Sequence, residues 1–190
     1  MSRYGEEISY DFNLLKVEDY DDLQPFTCGN EKLDLHIHRD IIKEGQIVDE
    51  DGLYFVCRDL SNKKIIAIVS LATSGIVFEA TNYMHILPAI KIDVLAVDKE
   101  YQKMHYDVSS EQAEEADEHY YFSDDIMSTI LQHCREISEE KALANFIVLY
   151  ADKKAYRYYE RNGFLDYTEF MVQEHNQEIS ENIPMYMRLE

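Results

Sequence analysis

Basic residues are scarce in this chain: 18 lysines and arginines stand against 38 aspartates and glutamates, for a formal charge of −20. A surface of that sign repels phosphodiester backbones and anionic membranes, so nucleic acid is disfavoured as a partner and no membrane association is expected. A cationic amine or peptide would be attracted, and an acidic surface also serves plain solubility. Proline and glycine are few, at 3 and 6 positions, and hydrophobic residues make up 46% of the 190, which excludes collagen-like sequence, long linkers and wholesale disorder. No apolar run approaches the length of a bilayer-spanning helix, and Met1-Ser2-Arg3-Tyr4-Gly5-Glu6-Glu7 lacks the apolar core of an export signal, so a cytoplasmic location is expected. Three widely spaced cysteines, Cys28, Cys57 and Cys134, contain no CxxC pair and read as reduced, packing thiols. GxSxG, GxxxxGK(S/T) and HExxH are all missing, which leaves hydrolase, P-loop and zincin chemistry unsupported. His36 and His38 lie two apart on an expected helix and face different directions, while His105, His119 and His133 fall at no recognised ligand spacing, so no metal is expected.

The residues present suffice for a single domain over positions 1–190. Ile8 to Val17 has strand composition, and Phe26-Thr27-Cys28-Gly29-Asn30 precedes a helical stretch from Glu31 to about Lys43. After the turn signal Asp49-Glu50-Asp51-Gly52, two β-branched runs, Leu53 to Arg58 and Ile65 to Leu71, read as an antiparallel hairpin. Pro88 opens a strand, Ala89 to Val97, whose second half is continuously apolar, as in a strand that becomes buried along its length. Lys99 to His119 is polar and reads as a long loop. Ser123, followed by Asp124 and Asp125, forms an N-cap and first turn, and Ile126, Met127, Ile130, Leu131, Cys134 and Ile137 then share one helix face. Asn145 to Tyr150 is a buried-type strand, and Lys153 to Arg161 is a helix that Asn162-Gly163 terminates. Asp166 to Val172 and Pro184 to Leu189 close the chain as a strand pair.

Within that order, Leu95-Ala96-Val97-Asp98-Lys99-Glu100-Tyr101-Gln102 is similar to the cofactor strand and turn approach of the GNAT acyltransferases, and Tyr158-Tyr159-Glu160-Arg161-Asn162-Gly163-Phe164 is similar to their (F/Y)-Y-x-x-x-G-F signature. Phe26-Thr27-Cys28-Gly29-Asn30-Glu31-Lys32-Leu33-Asp34 resembles the opening of a bacterial branch that includes tRNA-acetylating toxins. The resemblance implies an α/β (α+β) fold with a mixed, mostly antiparallel central sheet flanked by helices, and acetyl transfer from acetyl-CoA to an amine of a small molecule or peptide. It also implies that main-chain groups of Leu95, Ala96 and Val97 hold the pantetheine arm. The pyrophosphate would rest on backbone N–H groups at the next helix N-terminus, reached through a (Q/R)-x-x-G-x-(G/A) turn that starts at Gln102. Ser123 and Asp124 mark that helix start.

The turn departs from the pattern. Lys103-Met104-His105-Tyr106-Asp107 follow Gln102, so both glycine positions are lost, and an acidic insertion at about 103–122 separates the strand from the helix. From Asp107 to Asp125 there are eight carboxylates and no Lys or Arg. Losing two or three charge-assisted N–H contacts at roughly 1.5–3 kcal/mol each would weaken cofactor binding by about 10² or more. An alternative function follows: a non-catalytic binding or interaction module with impaired CoA binding.

Acyl transfer to an amine calls for a base to take the amine proton and an acid to protonate the leaving thiolate. Tyr159 occupies the position of the family's acid; it also reads as part of a packing face with Tyr156 and Tyr158 in a chain of 15 tyrosines. Asp93 is the candidate base, with Asp98 and Glu100 as alternatives, although a solvated strand carboxylate is the stronger reading of Asp93. A homodimer is compatible with the family and with the C-terminal strand pairing across an edge.

Overall fold

The computed structural model describes residues 8–48, 52–80, 83–104, 121–140, 143–168 and 181–189. Two compact units emerge, one of Met1–Ser70 with Val94–Thr129 and one of Leu71–Asp93 with Ile130–Glu190. The strands fall into a mostly antiparallel seven-stranded sheet of order β1-β4-β5-β6-β7-β9-β8 and a separate pair, β2-β3.

In the first unit β1 (Tyr10–Leu14) runs antiparallel to β4 (Leu53–Asp59), with Tyr10 opposite Asp59 and Leu14 opposite Phe55. The short helix α1 (Tyr20–Leu23) is tied to β4 by Arg58, whose guanidinium reaches Asp19 at 2.8 Å and Asp22 at 2.7 Å. Helix α2 (Glu31–Arg39) is capped by Asn30, whose side-chain oxygen accepts from the N–H groups of Lys32 and Leu33. Leu33, Ile37 and Ile41 recur every fourth residue, which turns one face inward onto Leu15, Phe26, Tyr54 and Val56. The helix stops at Arg39 rather than near Lys43, because Ile42 and Lys43 form β2 (Ile42–Lys43), paired with β3 (Gln46–Ile47). Strand β5 (Ile65–Ala80) and strand β6 (Tyr83–Val97) each belong partly to both units. Helix α3 (Phe122–Glu140) likewise begins in the first unit, where the Tyr10 hydroxyl lies 2.7 Å from Thr129 Oγ1.

In the second unit β7 (Phe146–Ala151) runs parallel to β6, from Ala89 opposite Phe146 to Ile92 opposite Leu149. On its other side β7 pairs antiparallel with β9 (Ile183–Arg188), and β9 pairs with the two-residue β8 (Leu165–Asp166). Helix α4 (Tyr156–Arg161) ends at Gly163, which supplies the left-handed conformation at φ +88°. Asp152 holds the turn before it, accepting from Lys154 N–H, so the helix starts three residues later than expected.

Several expectations need correction. Pro88 lies inside β6, not at its start, and its carbonyl accepts from Asn145 N–H at 3.1 Å. Its missing donor falls one residue before the parallel register begins at Ala89. Residues 83–86 are exposed on both faces of the strand, so no alternation announces them. The helix expected to be capped by Ser123 begins one residue earlier, at Phe122, and Ser123 is buried within its first turn. The C-terminal strand offered for edge pairing is interior, flanked by β7 and by β8. The acidic insertion falls outside the described residues from 105 to 120, and the expected strand from Asp166 to Val172 falls outside them from 169 onward.

Candidate functional site

All six residues expected to meet the cofactor lie in the first unit. Asp98 N–H donates to Ile66 of β5 at 2.8 Å, so the trans peptide turns the Val97 carbonyl away from β5. That carbonyl accepts from Gln102 Nε2 at 2.7 Å, and the same nitrogen donates to the Cys28 carbonyl at 2.7 Å. Instead of opening a glycine turn, Gln102 bridges the end of β6 to the loop before α2.

This loop is knitted from both directions. The Asp34 carboxylate, one turn inside α2, accepts from Thr27 Oγ1 at 2.7 Å and from the N–H groups of Cys28 and Gly29 at 2.8 and 3.3 Å. Burial alone would raise its pKa, and those hydrogen bonds outweigh burial and hold it below the usual carboxylate value. Asp98 is 1% exposed; it accepts from Thr27 N–H at 3.3 Å and Glu100 N–H at 3.0 Å and meets Lys64 Nζ at 3.3 Å. Gly29, at φ +84°, permits the stem of Lys99 to lie where a Cβ would come within 2.4 Å of Lys99 Cε.

The segment 98–104 is a hub rather than an open anion cradle. Tyr101 is buried and its hydroxyl donates to Asp59 at 3.2 Å. Tyr101 N–H and Gln102 N–H donate to the Asp98 carbonyl, and Met104 N–H donates to the Tyr101 carbonyl. At the start of α3, Phe122 N–H donates to the Met104 carbonyl at 3.0 Å and Asp124 N–H to the Tyr121 carbonyl at 2.9 Å, while the Asp124 carboxylate accepts from Tyr121 N–H at 3.4 Å. Two of the N–H groups at the start of α3, those of Phe122 and Asp124, are therefore committed to protein acceptors.

The second unit carries Tyr159 and Asp93. Tyr159, half-buried on α4, packs edge-to-face against Phe164 at 5.8 Å and Tyr158 at 5.2 Å. Its hydroxyl has no hydrogen-bond partner among the described residues. Burial, reinforced by the charge of Asp152, pushes the phenol up to about 12.

No family profile and no curated protein matches this chain in sequence. Solved structures do match. A bacterial toxin aligns over 96% of this chain and 92% of its own, at a TM-score of 0.68 and 16% identity. A tyrosine-to-phenylalanine mutant of the toxin AtaT, bound to the C-terminus of the antitoxin AtaR and acetyl-CoA, aligns over 95% of this chain and 93% of its own, at 0.63 and 17%. Ard1 from Thermoplasma volcanium aligns over 96% and 99%, at 0.51 and 15%. The chain has the GNAT fold.

On that GNAT frame, Leu95, Ala96 and Val97 end β6, whose pairing with β7 covers Ala89 to Ile92 and does not extend to these three residues among the described ones. Asp93 is partly exposed and paired with Lys91 Nζ at 2.5 Å, and the same ammonium lies 5.5 Å from the Tyr150 ring centroid. Asp98 is engaged structurally, and Glu100 pairs with Lys64 at 2.9 Å. The thiols are held protonated: burial raises Cys57 and Cys134 to about 12, and burial followed by the Asp34 hydrogen bond raises Cys28 to about 11. His36 Nε2 meets the Tyr54 hydroxyl at 3.0 Å and His38 Nε2 the Phe26 carbonyl at 2.8 Å. Among the described residues no group of three His, Cys, Asp or Glu could hold a metal, and no helix is long and apolar enough to cross a membrane. Sequence reasoning missed Asp34 and the bridging role of Gln102; the spacing from Thr27 to Asp34 in the quoted loop motif was the available signal.

Proposed function

We propose that this chain is an acetyl-CoA-dependent N-acetyltransferase acting on an amine of a small molecule or peptide by direct transfer. The observation that carries the reading is Tyr159: a half-buried phenol, protonated to about 12, with no hydrogen-bond partner among the described residues, at the family's acid position. The amine nitrogen attacks the thioester carbonyl carbon, the C–S bond breaks, and the amine gives up a proton to Asp93 or to water. The phenol hydrogen-bonds the departing sulfur. A thiol titrates at about 8.5, so complete transfer from Tyr159 would be uphill by ~3.5 units, or ~5 kcal/mol. Tyr159 therefore lowers the barrier as a hydrogen-bond donor, and the amine proton ends on the thiol. For Asp93 to act as base it must first release Lys91.

Leu95, Ala96 and Val97 supply the strand edge for the pantetheine arm, and Ser123 and Asp124 belong to the first turn of the helix that would face the phosphates. A charge of −20 favours a cationic acceptor. One AtaT structure is a complex with acetyl-methionyl-tRNAfMet, but a strongly acidic chain is a poor host for RNA. Calorimetric titration with acetyl-CoA, followed by thiol release in the presence of polyamines and Lys-bearing peptides, tests the reading; no binding at millimolar acetyl-CoA would refute it.

A second reading is supported by the engaged N–H groups at the start of α3: a GNAT-fold binding module with impaired CoA binding. Saturable acetyl-CoA binding with turnover that disappears in Tyr159→Phe would eliminate it.

A further inference from the structure

The geometry points to Gln102 as a positioning residue: its side-chain amide fixes the Val97 and Cys28 carbonyls together, so that an acetyl donor on β6 is registered against the loop that opens α2. The inference rests on the acyltransferase reading, which supplies the ligand. Val97 is the last residue of β6, and its carbonyl faces away from β5. Left open, it would compete for any amide laid along that edge. Gln102 occupies it at 2.7 Å. Strand alternation turns the N–H and C=O of Leu95 to the same edge. Leu95 thus offers both groups to a ligand amide, while Val97 offers only its N–H, and that asymmetry sets one register along the strand.

The second hydrogen of the same amide group carries the restraint onward to Cys28 at 2.7 Å. There the loop has no slack: Lys99 N–H donates to the Thr27 carbonyl at 2.9 Å, Thr27 N–H donates to Asp98, and Asp34 takes Cys28 and Gly29. A shift at Val97 is therefore passed to the residues in front of α2 through one side chain.

Two substitutions separate this role from simple support. Gln102→Glu keeps the shape and removes both hydrogens; Gln102→Arg restores donors for two carbonyls. In Gln102→Glu, amide exchange at Thr27 and Lys99 should quicken by about tenfold and KM for acetyl-CoA should rise by about tenfold, with kcat within about twofold. Gln102→Arg should recover most of both. A melting temperature that falls in Gln102→Glu while KM for acetyl-CoA stays at the wild-type value overturns the proposal and leaves the acyltransferase reading intact. A wild-type chain that binds no acetyl-CoA overturns that reading and the positioning role with it, whatever exchange in Gln102→Glu shows.

Discussion

Replacing Tyr159 by Phe removes one oxygen and its hydrogen while leaving both edge-to-face ring contacts, with Phe164 at 5.8 Å and Tyr158 at 5.2 Å, in place. The hydroxyl makes no hydrogen bond among the described residues, so no native bond is lost, and a desolvation cost of up to about 1 kcal/mol is relieved for a group that is only half-buried. At ~2–4 °C per kcal/mol for a chain of this size, the melting temperature should stay put or rise slightly. Turnover should move the other way, falling about 10²–10³-fold, the usual cost of removing one hydrogen-bond donor from a developing anion, or ~2.7–4 kcal/mol of barrier. The alkaline side offers a further check. The folded phenol titrates at about 12, above the free value of about 10, so its stabilising contribution is whole below pH ~10 and is lost as pH rises through about 12. The Phe variant should lack that alkaline loss. Thiol-release kinetics at saturating acetyl-CoA, with calorimetric melting of the same samples, decide the matter. Wild-type turnover in the variant, or joint loss of melting temperature and activity, would return Tyr159 to the packing face.

Asp98→Ala should destabilise the fold by roughly 3 kcal/mol in urea unfolding, because it strips a carboxylate from Lys64 and from the Thr27 and Glu100 N–H groups in a buried place; a change under about 1 kcal/mol would contradict the hub. Asp34, whose carboxyl is held below its ordinary value by its loop hydrogen bonds, contributes stability that is present above about pH 4 and lost as pH falls through the depressed value. In acid titrations followed by circular dichroism, Asp34→Asn should therefore be less stable than wild type at pH 7 and the gap should close in acid; a constant gap would refute the linkage.

Legibility followed burial. Helix α3 buries Ile126, Met127, Ile130, Leu131 and Cys134, and strand β7 buries Ile147, Val148 and Leu149, so their apolar spacing survived in the sequence; on β5 and β6, exposed side chains such as Val77, Tyr83, Met84 and Ile86 left no pattern to read. The cap of α2 at Asn30 and the stop of α4 at Gly163 depend on single residues and local geometry, which a sequence carries directly. Gln102 shows the opposite case. Its two acceptors are main-chain carbonyls, one 74 residues away, and a carbonyl has no letter in a sequence. The lost glycines were visible at once; the use made of the vacated turn was visible only in three dimensions.

A helix N-terminus rewards negative charge whatever its source. In this chain Asp124 places its own carboxylate 3.4 Å from Tyr121 N–H, and Met104 and Tyr121 carbonyls take the next donors. A pyrophosphate arriving there would have to displace those acceptors beside two like charges, Asp124 and Asp125. On the proposed acyltransferase reading, affinity for the acetyl donor then comes mainly from the β6 edge, along which the pantetheine arm would lie, and not from the nucleotide. Acetyl-pantetheine should accordingly serve nearly as well as acetyl-CoA, with kcat/KM within about tenfold, since forfeited phosphate contacts worth roughly 1.5–3 kcal/mol each would otherwise separate the two donors by 10² or more. Competition kinetics with both donors in one vessel measure the ratio directly. A preference for acetyl-CoA beyond about a hundredfold would mean that the phosphates find strong donors after all, and the engaged N–H groups of Phe122 and Asp124 would not be the ones that matter.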